Sequence, residues 1–238
     1  MSAVRRGGWG LVLLTALIFV FAAGGCSLFD KDAEGGKKIR AARKEYAKLD
    51  SARVVMTNLE TGEIEQTFTF KYDEKDVLIY SYYGKSEQNE YAQYNNGAQC
   101  STYENGELTV SYRGDKDFGL YTRELKHPQA DEGLLVYQPS SIKKAEVSEE
   151  DGVTHIHYEY DAKKIGASVE KGEVTGFSTD YYFNGDELLY FVETTEAKED
   201  GAEKVYAYRV DIKDRNAVEK VEDTTEKVLT ARGISPTH

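Results

Sequence analysis

The sequence predicts a mainly β fold of the α+β class. It would be a large antiparallel, strongly curved sheet or incomplete barrel, with an N-terminal helix and a helical or irregular lid segment. Three observations support this. Apolar and polar side chains alternate with a period of two along most of the chain. Asn-Gly pairs separate several of these segments, as in β-hairpins. The chain also has 18 tyrosines, a residue that favours strands, against one tryptophan.

The helix and the first group of strands precede residue 114. Over 37–49, apolar residues recur at spacings of three and four, which predicts an amphipathic helix with a basic outer side. Alternation begins after Asp50, and a meander of about six strands is predicted for 52–113. Two of its turns carry Asn96-Gly97 and Asn105-Gly106, which are strong hairpin signals.

The period of two stops at Gly114. Residues 115–142 are longer than an ordinary connection and lack a strand pattern, so we expect a lid or a cavity lining there. Five further strands are predicted between 143 and 213, which makes about eleven, nearly all antiparallel because their connections are short. No linker-like break divides 37–213, so this range is predicted to be a single domain, followed by a charged tail at 214–238.

The N-terminal residues are typical of an export signal. Two arginines, an apolar run over 11–23 and three small residues precede Cys26, which predicts a signal peptide at 1–25. The small-residue site before the cysteine resembles the bacterial lipobox, which implies that Cys26 is lipidated and becomes the mature N-terminus. Residues 26–36 would then be a polar tether, and the domain would face the extracytoplasmic side of the cell membrane. An uncleaved anchor, or ordinary cleavage that leaves Cys26 unmodified, are the alternatives.

Composition excludes some functions. The formal net charge is −12, from 30 basic and 42 acidic residues, which argues against nucleic acid as a partner. No Gly-x-Ser-x-Gly, His-Glu-x-x-His or phosphate-binding glycine motif occurs, so no catalytic residue, cofactor or metal site is predicted and the chain is not expected to be an enzyme. His155 and His157 share one face of a strand, and we interpret them as a solvent-side pair rather than as metal ligands. Cys100 has no basic neighbour in sequence and is expected to be inert.

The aromatic residues give the most specific hypothesis. Several lie on one presumed inner face of the alternating strands, where they could form either a tyrosine-rich core or a concave hydrophobic groove for acyl chains, with 115–142 as its lid. The predicted groove residues are Phe68, Phe70, Tyr72, Tyr158, Phe177, Tyr181, Phe183 and Tyr206.

The order of these features resembles the LolA/LolB superfamily of lipoprotein carriers and its mycobacterial relative LppX. The resemblance covers about 37–213. It rests on the helical residues 42–49 passing directly into 51–54, on long alternating strands such as 68–72, and on the aromatic–turn pair at 94–97. It implies an incomplete antiparallel barrel in which helices plug a hydrophobic cavity for acyl chains. The arginine with which LolA latches its lid has no counterpart that can be placed in this sequence. The sequence is also similar to lipoproteins of spore-forming Firmicutes, such as GerS. That resemblance implies a scaffold that binds a cell-wall enzyme rather than a lipid.

Two functions therefore remain open at this stage. The first is a membrane-anchored lipoprotein that binds a lipid or acyl chains in a groove on the sheet. The second is a non-catalytic envelope lipoprotein that binds a protein partner, for example a cell-wall enzyme, and has a filled core. A cavity of several hundred cubic ångströms on the aromatic face would favour the first. A filled core with an exposed apolar edge would favour the second.

Overall fold

The structure is a computed structural model that describes residues 32–86, 89–169 and 172–233. Cys26, the predicted signal peptide and part of the predicted tether lie outside the described residues. None of the helices within these ranges combines the length and the apolar character that a membrane span requires.

Eleven antiparallel strands form one sheet. They are β1 Ser51–Asn58, β2 Ile64–Tyr72, β3 Leu78–Lys85, β4 Glu90–Asn95, β5 Gln99–Glu104, β6 Glu107–Tyr112, β7 Ile142–Glu150, β8 Val153–Tyr160, β9 Glu173–Asn184, β10 Glu187–Glu199 and β11 Ala202–Lys213. Their spatial order is β6-β5-β4-β3-β2-β1-β11-β10-β9-β8-β7. Because β6 and β7 lie at opposite ends, the sheet is open, and the predicted fold class is confirmed.

Two meanders meet in the middle of this sheet. Strands β1 to β6 each pair with their neighbours in sequence, and so do β7 to β11. The meanders are joined by β1 and β11, which pair from Arg53 opposite Lys213 to Asn58 opposite Tyr208. The first and last of the described strands therefore lie side by side in the middle of the sheet.

Tight turns join several of the strands. Asn105 and Gly106 both have positive φ, 46° and 107°, as a two-residue type I′ hairpin requires. Asp200 and Gly201 do the same with φ of 49° and 84°, so a two-residue turn joins the long strands β10 and β11. Charged residues are compatible with this end of β10 and β11 because most of the charged side chains project into solvent.

Helix α1, Gly36–Ala47, crosses one face of the sheet, which is called the inner face below. Its start approaches the sheet closely: Gly35 has φ 75°, and a Cβ at this position would lie 2.8 Å from Ile156 Cδ1. Glycine therefore suits both the left-handed backbone and the contact. A short helix α2, Ala162–Ile165, follows β8 and packs at the beginning of β9.

The C-terminal residues pack on the opposite, outer face. Helix α3, Thr224–Ala231, begins at Asp223, whose side chain accepts hydrogen bonds from the N–H groups of Thr225 and Glu226. Val228 and Leu229 of α3 are buried in a small cluster with residues of β4 and β5. The folded part therefore extends past residue 213, into the range that the sequence analysis assigned to a charged tail.

Candidate functional site

The residues of the predicted groove lie in the main hydrophobic core. Seven are buried within one cluster: Phe68, Phe70, Tyr72, Tyr158, Phe177, Tyr181 and Phe183. The eighth, Tyr206, is half-buried, and its hydroxyl donates to Glu199 Oε1 at 2.7 Å. Of the two arrangements that the sequence left open for these side chains, their packing corresponds to the tyrosine-rich core.

Two elements cover this aromatic face. The first is α1, from which Ile39 and Tyr46 are buried against it. The second is a run of three 3₁₀ turns within the predicted lid, Pro128–Ala130, Glu132–Leu134 and Pro139–Ser141, called the cover segment (128–141) below. Its buried members in the core include Leu135 and Val136. The predicted lid thus lies on the aromatic face, but it fills the space there with its own side chains.

Polar bonds hold the cover segment in place. The hydroxyls of Tyr160 and Tyr181 both donate to the carbonyl oxygen of Val136, the first at 3.1 Å. The Tyr46 hydroxyl donates to Gln129 O. Arg43 of α1 donates to Leu135 O at 2.8 Å and to Tyr137 O at 3.2 Å. Backbone carbonyls that an irregular segment would otherwise leave unpaired are satisfied by these donors.

An aromatic box encloses His127, just before the cover segment. Its ring lies 4.8 Å from the rings of Phe68 and Tyr80 and 4.7 Å from that of Tyr121. His127 Nδ1 accepts from Gln129 N–H at 3.2 Å. Burial lowers the pKa of His127 to about 4, so the ring is neutral in the folded state at pH 7. Because the folded pKa is below the unfolded one, this residue destabilises the fold as the pH falls from about 6.5 towards 4.

One carboxyl group is buried on the inner face without a partner. Glu193 of β10 is 9% exposed and lies directly across from Thr179 of β9 and Tyr208 of β11. No hydrogen bond or ion pair to its side chain is found within the described ranges. Burial raises the pKa of Glu193 to about 8. Tyr72 Oη, Gln129 Oε1 and Ser141 Oγ are also buried without a hydrogen-bond partner among the described residues.

The two histidines singled out from sequence lie on the outer face and share one carboxylate. Asp180 Oδ1 is 2.7 Å from His155 Nε2 and 2.8 Å from His157 Nδ1. His155 also stacks on Tyr182 with ring centroids 4.7 Å apart. In the part of the chain that the structure describes, no group of three or more His, Cys, Asp or Glu side chains is arranged to hold a metal ion.

A different site lies between the outer face and the C-terminal residues. A cleft of about 900 Å³, called the strap cleft below, separates β1, β2 and β3 from the strap (residues 214–223) and α3. The strap is attached at both ends. Asn216 N–H donates to Ser51 O at 2.8 Å, and Thr224 Oγ1 lies 3.0 Å from the carbonyl oxygen of Tyr82.

The floor of the strap cleft consists of hydroxyl groups. Thr69 of β2 lies directly opposite Ser81 of β3, and Thr67 lies opposite Tyr83. All four line the cleft. Ser81 is only 4% exposed, yet no hydrogen-bond partner for its hydroxyl is found among the described residues. The floor can therefore both donate and accept hydrogen bonds.

Ion pairs surround this floor, and the positive and negative charges within each pair balance. They are Arg53 with Asp214 at 2.8 Å, Arg232 with Glu90 at 3.1 Å, and Lys227 with Glu222. Apolar side chains of the strap and α3, Val218 and Val228, line the same cleft. A nearly neutral, amphipathic surface is thus present on a protein whose net charge is −12.

The sequence patterns give no indication of the strap cleft. Thr69 alternates with Phe68 and Phe70, which predicts that it points outward, but an outward hydroxyl gives no sign that a later segment passes over it. A signal did exist at the other wall: Asp223 is followed three residues later by Glu226, and an acceptor followed by Glu at this spacing is typical of a helix start. Val228 and Leu229 then follow at helical spacing.

Comparisons with known proteins concern the fold. No protein-family model matches the chain, and no curated protein matches it. Among solved structures, the chain is similar to LprF from Mycobacterium bovis, with a TM-score of 0.46 and 12% identity, over 82% of this chain and 99% of that chain. LprF is a mycobacterial lipoprotein of the LolA-like/LppX family. At this level the similarity identifies no ligand and no partner.

Proposed function

We propose that this chain is a non-catalytic envelope lipoprotein, anchored through lipidated Cys26, whose sheet is a scaffold that binds a protein partner at the strap cleft. The observation that carries the proposal is the filled aromatic face. Where a lipid carrier needs space for acyl chains, seven of the eight predicted groove residues are buried in a packed cluster beneath α1 and the cover segment.

The strap cleft suits a polar polypeptide segment better than an acyl chain. Its hydroxyl floor, with the unpartnered Ser81, can pair with the N–H and C=O groups of a docked peptide. An acyl chain would desolvate these hydroxyls without replacing their hydrogen bonds, which is unfavourable. The volume of about 900 Å³ is within the range of binding clefts.

Site-specific photo-crosslinking in intact cells tests the partner proposal. Benzoylphenylalanine in place of Tyr83 lies in the cleft, whereas the same residue in place of Tyr182 lies on the outer face away from it; both tyrosines are half-buried. We expect a protein adduct of defined mass from position 83 and none of that mass from position 182. Ala217→Trp, at an exposed position lining the cleft, should reduce the yield about tenfold because it blocks the cleft. Equal adducts from both positions, or none from 83, would refute partner binding at this site.

A second candidate, the lipid carrier, is favoured by one specific observation. The cover segment is held by a few hydroxyl–carbonyl bonds, and two of its own side-chain atoms, Gln129 Oε1 and Ser141 Oγ, are buried without a hydrogen-bond partner among the described residues. Unsatisfied buried polar groups cost free energy, so this closure is imperfect. Opening of the segment would uncover the aromatic face to acyl chains.

The substitution Phe177→Trp separates the two candidates. Phe177 is buried, with its ring centroid 5.6 Å from that of Tyr160, so in a filled core the larger indole overpacks and lowers the free energy of unfolding by about 1–3 kcal/mol. We expect this loss in chemical denaturation, and no binding of a fluorescent fatty acid by the parent protein. Val205→Trp, at an exposed position, is the matched control and should change neither. Stoichiometric fatty-acid binding by the parent that Phe177→Trp weakens, without loss of stability, would favour the carrier.

A further inference from the structure

The two edge strands of the sheet differ in how well their side chains prevent pairing with a further strand. Strand β7 has charged side chains along most of its length, among them Lys143, Lys144 and Glu146. Such charges discourage another strand from pairing with an edge. Strand β6 has one charged residue, Glu107, at its beginning, and its remaining side chains are apolar or carry a hydroxyl group. The β6 edge therefore lacks the protection that β7 has.

Strand β6 also exposes an apolar row. Leu108, Val110 and Tyr112 alternate along it on one face and are 37%, 42% and 58% exposed. The row lies on the outer face, because Leu108 is directly opposite Tyr103, which packs under α3. Its length is that of the whole strand, and no described element covers it.

Backbone groups of β6 are available for pairing. Arg113 N–H donates inwards to Ala98 O at 2.8 Å, whereas Tyr112 N–H donates away from β5, to Asp115 Oδ2 at 2.7 Å. Successive residues of a strand direct their N–H and C=O groups to opposite sides. The groups of Leu108 and Val110 therefore point out of the sheet, where a further strand would lie.

We propose that β6 pairs with β6 of a second copy of this chain, antiparallel, with a two-fold axis at Val110. In this register Val110 faces its own copy, and Leu108 faces Tyr112 of the second copy on the same outer face. Glu107 then faces Arg113 of the second copy, and the same contact recurs across the axis. Neither Glu107 nor Arg113 has an ion-pair partner elsewhere in the described part of the chain.

Other registers are less complementary. A shift of one residue turns the apolar row of one copy to the face opposite that of the other. A shift of two residues in one direction places Glu107 opposite Asp115, which are both acidic, and in the other direction places Tyr112 opposite Gly106. The register centred on Val110 joins the apolar rows and both pairs of opposite charges at once.

The interface is small. One added strand buries less than the roughly 1,200 Å² of a standard stable interface, so we expect a weak dimer. Asp115 already pairs with both outward backbone groups of Tyr112: its Oδ2 accepts from Tyr112 N–H at 2.7 Å, and its own N–H donates to Tyr112 O at 2.9 Å. The hydrogen bonds between Tyr112 and Leu108 of the second copy therefore form only when this turn opens. The dimer must therefore be cross-linked covalently before its amount is measured.

Oxidation of the full chain in mild detergent can cross-link the dimer through a disulfide. Val110→Cys places two thiols at the axis, where Cα atoms of paired residues are about 5.5 Å apart, within disulfide range. Leu108→Cys, on the same face and similarly exposed, places its two thiols about 13 Å apart in this register and is the matched control. We expect a disulfide dimer from Val110→Cys at about tenfold the yield from Leu108→Cys or from the parent chain, whose Cys100 is buried.

A charge exchange then tests the register independently of folding. In the Val110→Cys background, Glu107→Arg or Arg113→Glu alone creates two like-charge contacts and should weaken dimerisation about fivefold. The double exchange should restore it. Equal yields from positions 108 and 110, or no recovery in the double variant, would overturn the proposal; an adduct with a different protein would also overturn it. The strap cleft is not altered by these variants, so failure here leaves the proposed function untouched.

Discussion

We expect Glu193→Gln to raise the free energy of unfolding by about 3 kcal/mol at pH 7 and to leave it nearly unchanged near pH 4. The folded pKa of Glu193 is about 8, raised by burial, whereas an unfolded glutamate titrates near its ordinary value of 4.5. The unfolded chain therefore releases this proton at a lower pH than the folded chain. Stability due to the protonated carboxyl is fully present below about pH 4.5 and is lost as the pH rises through 8. Glutamine is neutral throughout and avoids the loss.

Chemical denaturation of the full chain in mild detergent, at pH 4, 7 and 8.5, measures this difference. His127 contributes the opposite slope between about pH 4 and 6.5, but it is present in both proteins and cancels in the comparison. Glu196→Gln is the matched control, because Glu196 lies on the same strand with its side chain exposed on the other face, and its effect should stay within about 0.5 kcal/mol. A difference that does not grow with pH would contradict an unpartnered carboxyl at position 193.

We expect Cys26→Ala to transfer the protein from the membrane to the soluble fraction, lowering the membrane-bound share by more than about tenfold. Removal of residues 1–25 leaves 28 basic and 42 acidic residues, a net charge of −14. Such a surface is repelled by anionic headgroups, so in the proposed lipoprotein the acyl chains on Cys26 provide the attachment. Two acyl chains are enough for stable anchoring, whereas the described domain offers no helix that could span the bilayer.

Cell fractionation measures the membrane-bound share, and metabolic acyl labelling shows whether the protein carries acyl chains. Cys100→Ala is the matched control: Cys100 is the other cysteine of the chain and is buried in the sheet, so its variant should stay on the membrane and keep the label. If Cys26→Ala stays on the membrane at full-length mass, the N-terminal segment is an uncleaved anchor and the lipidation proposal fails.

Local patterns predicted the strands because each carries its own signal. The alternation of Phe68 and Phe70 with Thr69 specifies a strand with one buried face whatever lies above it, and positive φ at Asn105 and Gly106 follows from the residue types alone. The same alternation could not decide between a groove and a core, since both place these rings on the inner face. That choice depends on the cover segment, whose position is set by long-range bonds such as Tyr181 to Val136.

The strand ends and the C-terminal residues were harder to predict for a related reason. The charged side chains over 198–203 lack the alternation of a strand, yet the ladder between β10 and β11 continues to Glu199 opposite Ala202, because side chains at an exposed strand end need no apolar partner. The packing of α3 depends on Tyr103 and Ala92, more than a hundred residues earlier. The many charged residues of 214–238 conceal four buried positions: Val221, Thr225, Val228 and Leu229.

The pairing of β1 with β11 has a consequence for the order of assembly. Arg53 meets Lys213, so the seam between the two meanders can close only after about nine-tenths of the chain has been synthesised. Until then β1 leaves an unpaired edge in the centre of the eventual sheet, and a strand edge is a template for unwanted association. Contacts of such sequence separation also form slowly, because a long loop must close before they stabilise anything. A nascent chain therefore carries an unpaired strand edge at the position where the finished protein has a strand that is paired on both sides.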